Sequence, residues 1–154
     1  MTRIMFVCHG NICRSPMAEF IFKALVKERG LEDEFVIKSS ATSTEEIWNG
    51  IGNPIYPPAQ EELRRQGIPF EKRRAVQLTR SDLDEYDFFI GMDSANIRNM
   101  HRILGEGAEK KIYKLMDFTS RGGDVADPWY SDRFDIAYSD IYDGCVGLLN
   151  KLTT

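Results

Sequence analysis

The most constraining feature of the chain is its opening. A short apolar run, Ile4-Met5-Phe6-Val7, gives way to Cys8-His9-Gly10-Asn11-Ile12-Cys13-Arg14-Ser15 and then to Pro16. A continuous apolar run of that length suits a strand covered on both faces. Gly10 and Asn11 tolerate positive φ, so Cys8–Ser15 reads as a tight loop. Ser15-Pro16 reads as a helix start, with serine as N-cap and proline at the first helical position. Met17, Phe20, Ala24 and Leu25 follow at helical spacing, and Gly30 closes the element.

The rest of the chain repeats this alternation. Phe35 to Ile37 reads as a second strand, followed from Ser39 to Pro58 by an irregular loop rich in Ser, Thr, Gly, Asn and Pro that carries Trp48. Ala59 to Gln66 reads as a helix, Asp87 to Met92 as a third strand, and Asp93 as the cap of a helix reaching Leu104. Lys111 to Met116 reads as a fourth strand, and 118–131 as a loop containing Asp127-Pro128-Trp129. In the last helix Phe134, Tyr138, Ile141, Cys145, Leu148 and Leu152 form one apolar stripe, so Tyr138 and Cys145 are expected in the core. The expected fold is α/β: a single doubly wound domain over residues 1–154, with about four parallel strands flanked by helices. Ligands of such sheets sit at the carboxyl ends of the strands, where the Cys8–Ser15 and 118–131 loops both emerge.

The net charge of −4 argues against nucleic-acid backbone as the main partner, because that ligand needs a basic face. It leaves room for a small anion held by N–H groups. The first apolar run is too short for a signal peptide, and no stretch of ~18 apolar residues occurs. The chain is therefore expected to be soluble, cytoplasmic and without a membrane partner. Three cysteines, an odd number, suit a reducing compartment. His9 and His101 are the only histidines, and no second cysteine pair accompanies Cys8 and Cys13, so no metal site is expected.

Successive N–H groups in a tight loop that opens a helix form an anion site, reinforced by the helix dipole. The same field favours a thiolate. Cys8 starts the loop and Arg14 ends it, so its curvature can bring sulfur and guanidinium to opposite sides of one phosphate, with the Ser15 hydroxyl near the sulfur. A guanidinium matches two phosphate oxygens as a lysine cannot. Taken alone, Cys-x5-Arg is a weak pattern; its setting between a strand and a proline-initiated helix makes it a candidate nucleophile and phosphate clamp. A thiolate attacking a phosphate ester needs an acid for the departing oxygen. Asp127 is either that acid, beside the aromatic pair Trp129 and Tyr130, or a plain turn residue. His9 either contacts substrate or faces solvent. His101 reads as exposed, and Glu28-Arg29 with Glu61-Glu62 to Arg64-Arg65 as solvated helix faces.

The run Val7 to Glu19 with Asp127-Pro128-Trp129 resembles the low-molecular-weight protein tyrosine phosphatases, as do Val36 to Ala41, Trp48-Asn49-Gly50 and Met92-Asp93. The resemblance covers essentially the whole chain. It implies a phosphatase I-like fold, no cofactor, phosphotyrosine-containing protein substrates, inorganic phosphate as product, and a monomer or weak homodimer. Cys8 would form a phosphocysteine, Arg14 would bind the phosphoryl group, and Asp127 would protonate the leaving oxygen and then activate water. His9, Gly10, Asn11, Ile12, Cys13 and Ser15 would complete the phosphate loop, with Asn11, Ser15 and Ser39 fixing it. Trp48, Trp129 and Tyr130 would wall an aromatic slot. Cys13 would either protect Cys8 from over-oxidation or pack beneath the loop.

Two departures stand out. Arg73 falls where the family usually has a histidine bonded to the loop asparagine, which puts that support in doubt. The segment before Trp48 is longer by Thr44-Glu45-Glu46. Three competing readings follow. Arsenate reductases share the opening loop, but Thr79 to Met92 lacks the further cysteines that relay requires. In arginine phosphatases Thr typically precedes the second loop cysteine, where this chain has Ile12. A non-catalytic phosphate binder would need neither Cys8 nor Asp127.

Overall fold

A computed structural model describes residues Met1–Thr154. In chain order its elements are β1 (Thr2–Cys8), α1 (Arg14–Glu28), β2 (Phe35–Ala41), β3 (Ile47–Trp48), β4 (Ile51–Gly52), α2 (Pro57–Arg65), β5 (Phe88–Gly91), α3 (Ser94–Leu104), β6 (Ile112–Lys114), α4 (Pro128–Ser131) and α5 (Phe134–Thr153). Strand β1 has neighbours on both sides in a four-stranded sheet of order β2-β1-β5-β6, and every pairing is parallel. Its side chains alternate between two hydrophobic layers. Ile4, Phe6 and Cys8 join the larger core with α1 and α5, whereas Met5 and Val7 join a smaller one with Phe89, Met100 and Leu104. The apolar run in the sequence is thus a strand buried on both faces.

The strand order reverses between β1 and β5, so the crevice that doubly wound sheets use for ligands opens beyond Cys8 and Gly91. No helix is long and apolar enough to cross a membrane.

The expected elements are present, with differences at their edges. Helix α1 begins at Arg14 with Cys13 at the N-cap and no side-chain cap, so Ser15 is not the cap. Its hydroxyl serves the loop instead, and Pro16 is tolerated because first-turn N–H groups have no intrahelical partner. Strand β2 runs on from Ile37 to Ala41 because it pairs with β1 along its whole length, which buries Ser39 and Ser40. The segment expected to be irregular contains a hairpin, β3–β4. It turns at Asn49-Gly50, both with positive φ (51° and 76°), the backbone a two-residue hairpin turn requires.

Strand β6 ends at Lys114, and Leu115–Phe118 forms a 3₁₀ turn. That turn packs closely against α5 at two glycines. A Cβ at Gly144 would meet Leu115 at 2.5 Å, and one at Gly147 would collide with the Phe118 carbonyl. On α5 itself Cys145 is fully buried, but Tyr138 is only half-buried, and Ala137 and Leu149 take the inner positions. Glu62, expected on a solvated face, is buried; Arg65 and the Gln66 amide (2.8 Å) donate to its carboxylate.

Gly147→Ala should therefore destabilise the chain by about 1–3 kcal/mol through overpacking. A lower denaturant midpoint at unchanged slope is the expected reading, and an unchanged midpoint would show that the turn yields freely.

Candidate active site

Cys8 is the last residue of β1, and the chain turns from it directly into the loop that opens α1. The turn is made possible by Asn11 in the left-handed region (φ 60°), a conformation asparagine tolerates better than most residues. The loop folds back over the Cys8 sulfur, which accepts the Asn11 N–H (3.3 Å) and the Ser15 N–H (3.4 Å). The Ser15 hydroxyl lies 3.0 Å from the same sulfur. Asn11 Nδ2 donates to that hydroxyl at 2.7 Å, so its lone pair is occupied and its proton is free to point at the sulfur. Three donors thus converge on one sulfur at a helix N-terminus, an arrangement suited to a negative charge there.

Arg14 is nearly fully buried and joins three strand ends. Its Nη1 donates to Asp93 Oδ2 and to the Val125 carbonyl, both at 2.8 Å. Its Nη2 lies 3.6 Å from Asp127 Oδ2. Burial alone would lower the guanidinium's pKa, but the charges of Cys8, Asp93 and Asp127 outweigh it and hold the group above its ordinary value. Asp93 serves two elements at once: Oδ1 caps α3 by accepting the Asn96 N–H (2.8 Å), while Oδ2 holds Arg14. With Nη1 committed, the Nη2 edge is left for a ligand.

The loop rests on a polar network. Asn11 Nδ2 also donates to Ser39 Oγ (3.1 Å), whose own proton goes to Glu19 Oε1 (2.6 Å). Glu19 is buried and held by Lys23 (2.7 Å) and by Arg73, 3.7 Å away. Arg73 is the residue whose effect on this support the sequence left in doubt. Its Nη2 donates to Asn11 Oδ1 (2.6 Å) and its Nη1 to the Asn11 carbonyl (3.2 Å), so the loop asparagine keeps a donor. Burial lowers the Arg73 pKa, and the charges of Glu19 and Cys8 oppose that.

A cleft of about 340 Å³ opens above the loop, lined by Cys8 to Arg14, Glu45, Glu46, Asp127, Trp129 and Tyr130. Asp127 caps α4, accepting the Trp129 N–H at 3.1 Å, so the short helix fixes carboxylate and indole together. The Trp129 ring packs on Tyr56, with centroids 4.9 Å apart. Tyr130 is almost fully exposed at the rim. His9 faces the rim as well, its Nε2 2.8 Å from Glu45. Of the expected residues, Cys8, His9, Gly10, Asn11, Ile12, Cys13, Arg14, Asp127, Trp129 and Tyr130 meet at this cleft. Ser15 and Ser39 lie beneath it.

Trp48 does not line the cleft. It sits 80% exposed beside the hairpin turn, and the inserted Glu45 and Glu46 line the wall instead. Sequence reasoning also missed Tyr56, Glu19 and the Val125 carbonyl, none of which carries a local signal. Burial pushes the Cys13 thiol up, reinforced by the charge of Cys8; burial alone does the same to Cys145. No group of three or more His, Cys, Asp or Glu side chains could hold a metal ion.

Comparison with known proteins places these features in context. Residues 3–154 match the family model described as low molecular weight phosphotyrosine protein phosphatase. The chain is 40% identical to the low molecular weight protein-tyrosine-phosphatase YfkJ of Bacillus subtilis, over 99% of this chain and 96% of that one. The crystal structure of YfkJ superposes with a TM-score of 0.92, covering 99% of this chain and 94% of that one at 38% identity. A low molecular weight phosphotyrosine protein phosphatase of Schizosaccharomyces pombe is 38% identical over 97% and 96% of the two chains. The low molecular weight protein tyrosine phosphatase SP-PTP of Streptococcus pyogenes gives a TM-score of 0.87 at 37% identity, over 100% and 95% of the two chains.

Removing the Arg73 fork leaves the buried Asn11 carbonyl without this donor and Asn11 Oδ1 with only the Val76 N–H, at a cost of about 1–3 kcal/mol. Arg73→Ala should therefore lower kcat/KM on an aryl phosphate by roughly ten-fold or more. Arg73→Lys, with a charge but no fork, should recover only part of the loss. Wild-type kinetics in Arg73→Ala would remove Arg73 from the support of the loop.

Proposed function

Because the chain belongs to the low-molecular-weight phosphotyrosine protein phosphatases, a family of hydrolases, we propose that it hydrolyses phosphotyrosine in protein substrates through a phosphocysteine on Cys8. The observation that carries this reading is the convergence of two N–H groups and the Ser15 hydroxyl on the Cys8 sulfur, in a cleft that also holds Arg14 and Asp127.

The phosphoryl group enters against the loop, its oxygens held by backbone N–H groups and the Nη2 edge of Arg14. The Cys8 thiolate attacks phosphorus, the S–P bond forms and the P–O bond to the ring breaks. Protonated Asp127 gives its proton to the departing phenolic oxygen. Water then attacks the phosphocysteine and passes a proton to the Asp127 carboxylate. The S–P bond breaks, releasing inorganic phosphate and restoring the thiolate. Cys8 at the end of β1, Arg14 in the first turn of α1 and Asp127 at the N-cap of α4 surround one cleft, so this sequence needs no rearrangement of the sheet. Trp129, backed by Tyr56, and Tyr130 offer faces to the aryl ring.

Ile12 lines the floor and the bulky Trp129 follows the acid, which favours an aryl ester over phosphoarginine. Cys13 lines the same cleft as Cys8. Once peroxide has oxidised Cys8 to a sulfenic acid, attack by the Cys13 sulfur would form a disulfide and expel water, a step that burial of the Cys13 thiol, which raises its pKa, opposes. A thiol relay from Cys8 would have to reach Cys145, which is fully buried on α5 against the Ala18 carbonyl and does not line the cleft, and this weighs against arsenate reduction. The three free thiols fit a cytoplasmic, reducing setting.

The test is phosphate release from phosphotyrosine, phosphoserine and phosphoarginine without added metal. Phosphotyrosine should be preferred, and Cys8→Ser should be inactive while still folded. A preference for phosphoarginine would overturn the specificity and retain the nucleophile. Asp127→Ala should slow phosphotyrosine hydrolysis by roughly 10²–10⁴, and slow an ester with a strongly acidic leaving group far less. Equal losses on the two esters would mean that Asp127 is not the acid.

A further inference from the structure

The cleft has one wall that neither the phosphoryl group nor the aryl ring needs. Glu45 and Glu46, from the segment between β2 and β3, line it together with the phosphate loop. Both are held in place. The Glu45 carboxylate is 2.8 Å from His9 Nε2 and its side chain remains 68% exposed. Glu46 accepts from Asn53 Nδ2 (2.9 Å), and its carbonyl accepts the Asn53 N–H (2.8 Å), which ties it to the hairpin. Its Cγ packs 3.1 Å from where a side chain on Gly10 would begin. These carboxylates are therefore an ordered part of the wall, seated against the loop.

The charge around the opening is lopsided. The lining residues include three carboxylates, Glu45, Glu46 and Asp127, against one guanidinium, Arg14, which is buried and engaged by Asp93, and one imidazole, His9, which pairs with Glu45; no lysine lines the cleft. The floor is built for a dianion and the lip repels one. When the aryl ring carries the phosphoryl group to the floor, the residues flanking the tyrosine are left at the level of the lip. A Lys or Arg there meets Glu45 and Glu46, whereas an Asp or Glu is repelled.

We propose that Glu45 and Glu46 are specificity-determining residues that select phosphotyrosine flanked by Lys or Arg. This rests on the phosphotyrosine reading above. It gives the inserted Thr44-Glu45-Glu46 a task, in place of the wall that Trp48 does not supply.

The test compares kcat/KM for two phosphotyrosine peptides, one with Lys and Arg on both sides of the phosphotyrosine and one with Glu and Asp there. For the wild type the basic peptide should win by about five-fold at low salt, as expected for a few exposed charge pairs. The advantage should shrink towards one at about 1 M salt, where the screening length is ~3 Å. The salt series on the wild type tests the idea even without a variant. The double substitution Glu45→Gln with Glu46→Gln should remove the preference at low salt. Equal rates on the two peptides, or a preference that survives both substitution and salt, overturns the assignment while leaving the phosphatase reading intact. Hydrolysis of neither peptide overturns both.

Discussion

The Asn11 side-chain amide is the point on which the site depends. The residue is fully buried and its backbone is left-handed, a combination that is unfavourable unless its surroundings hold it. They do so by using all four hydrogen-bonding positions of the amide. Nδ2 donates to Ser15 and Ser39, and Oδ1 accepts from Arg73 and the Val76 N–H. A fully satisfied buried network is rigid, whereas a partly satisfied one is costly. The bond to Ser15 also occupies a lone pair of that hydroxyl, whose oxygen lies 3.0 Å from the Cys8 sulfur and 3.5 Å from the Ser40 carbonyl, so the support of the loop and the environment of the sulfur are one system.

Arg14 plays the corresponding part above the loop. It connects the end of β1 with the segment after β5 through Asp93, and with the segment after β6 through Val125 and Asp127. These contacts cross the place where the strand order reverses, which is where the sheet itself leaves an opening. An isolated buried guanidinium would be expensive; with Asp93, Asp127 and the Cys8 sulfur around it, the charge is compensated. The same buried charge that binds the loops together therefore offers its remaining edge to a phosphoryl group.

Much of the architecture was legible along the chain because the signals are local. The apolar run of β1, the cap at Asp93 of a helix reaching Leu104, and the stripe on α5 all follow from periodicity and capping chemistry. The errors fall where packing overrides local preference. Ser39 and Ser40 look like loop residues, yet pairing with β1 keeps them in β2. Tyr138 shares the stripe's spacing but stays half-buried, since the inner positions of α5 go to Ala137 and Leu149. Glu62 reads as solvated, but Arg65 and Gln66 satisfy it in a buried position. The hairpin at Asn49-Gly50 did carry a signal, a dipeptide suited to positive φ at both positions.

By itself the sequence determined the strand-loop-helix that holds Cys8 and Arg14, because glycine, asparagine and proline act on the backbone within a few residues. It also determined that Asp127 starts a turn with Trp129 beside it, a relation within one short segment. What only the tertiary structure decided is which distant groups meet. Arg73 reaches Asn11 across 62 positions and Val125 reaches Arg14 across 111, and Glu45 and Glu46 line the cleft while Trp48 does not. Such contacts depend on how strands order in the sheet and how loops cross its end, and no local propensity encodes that.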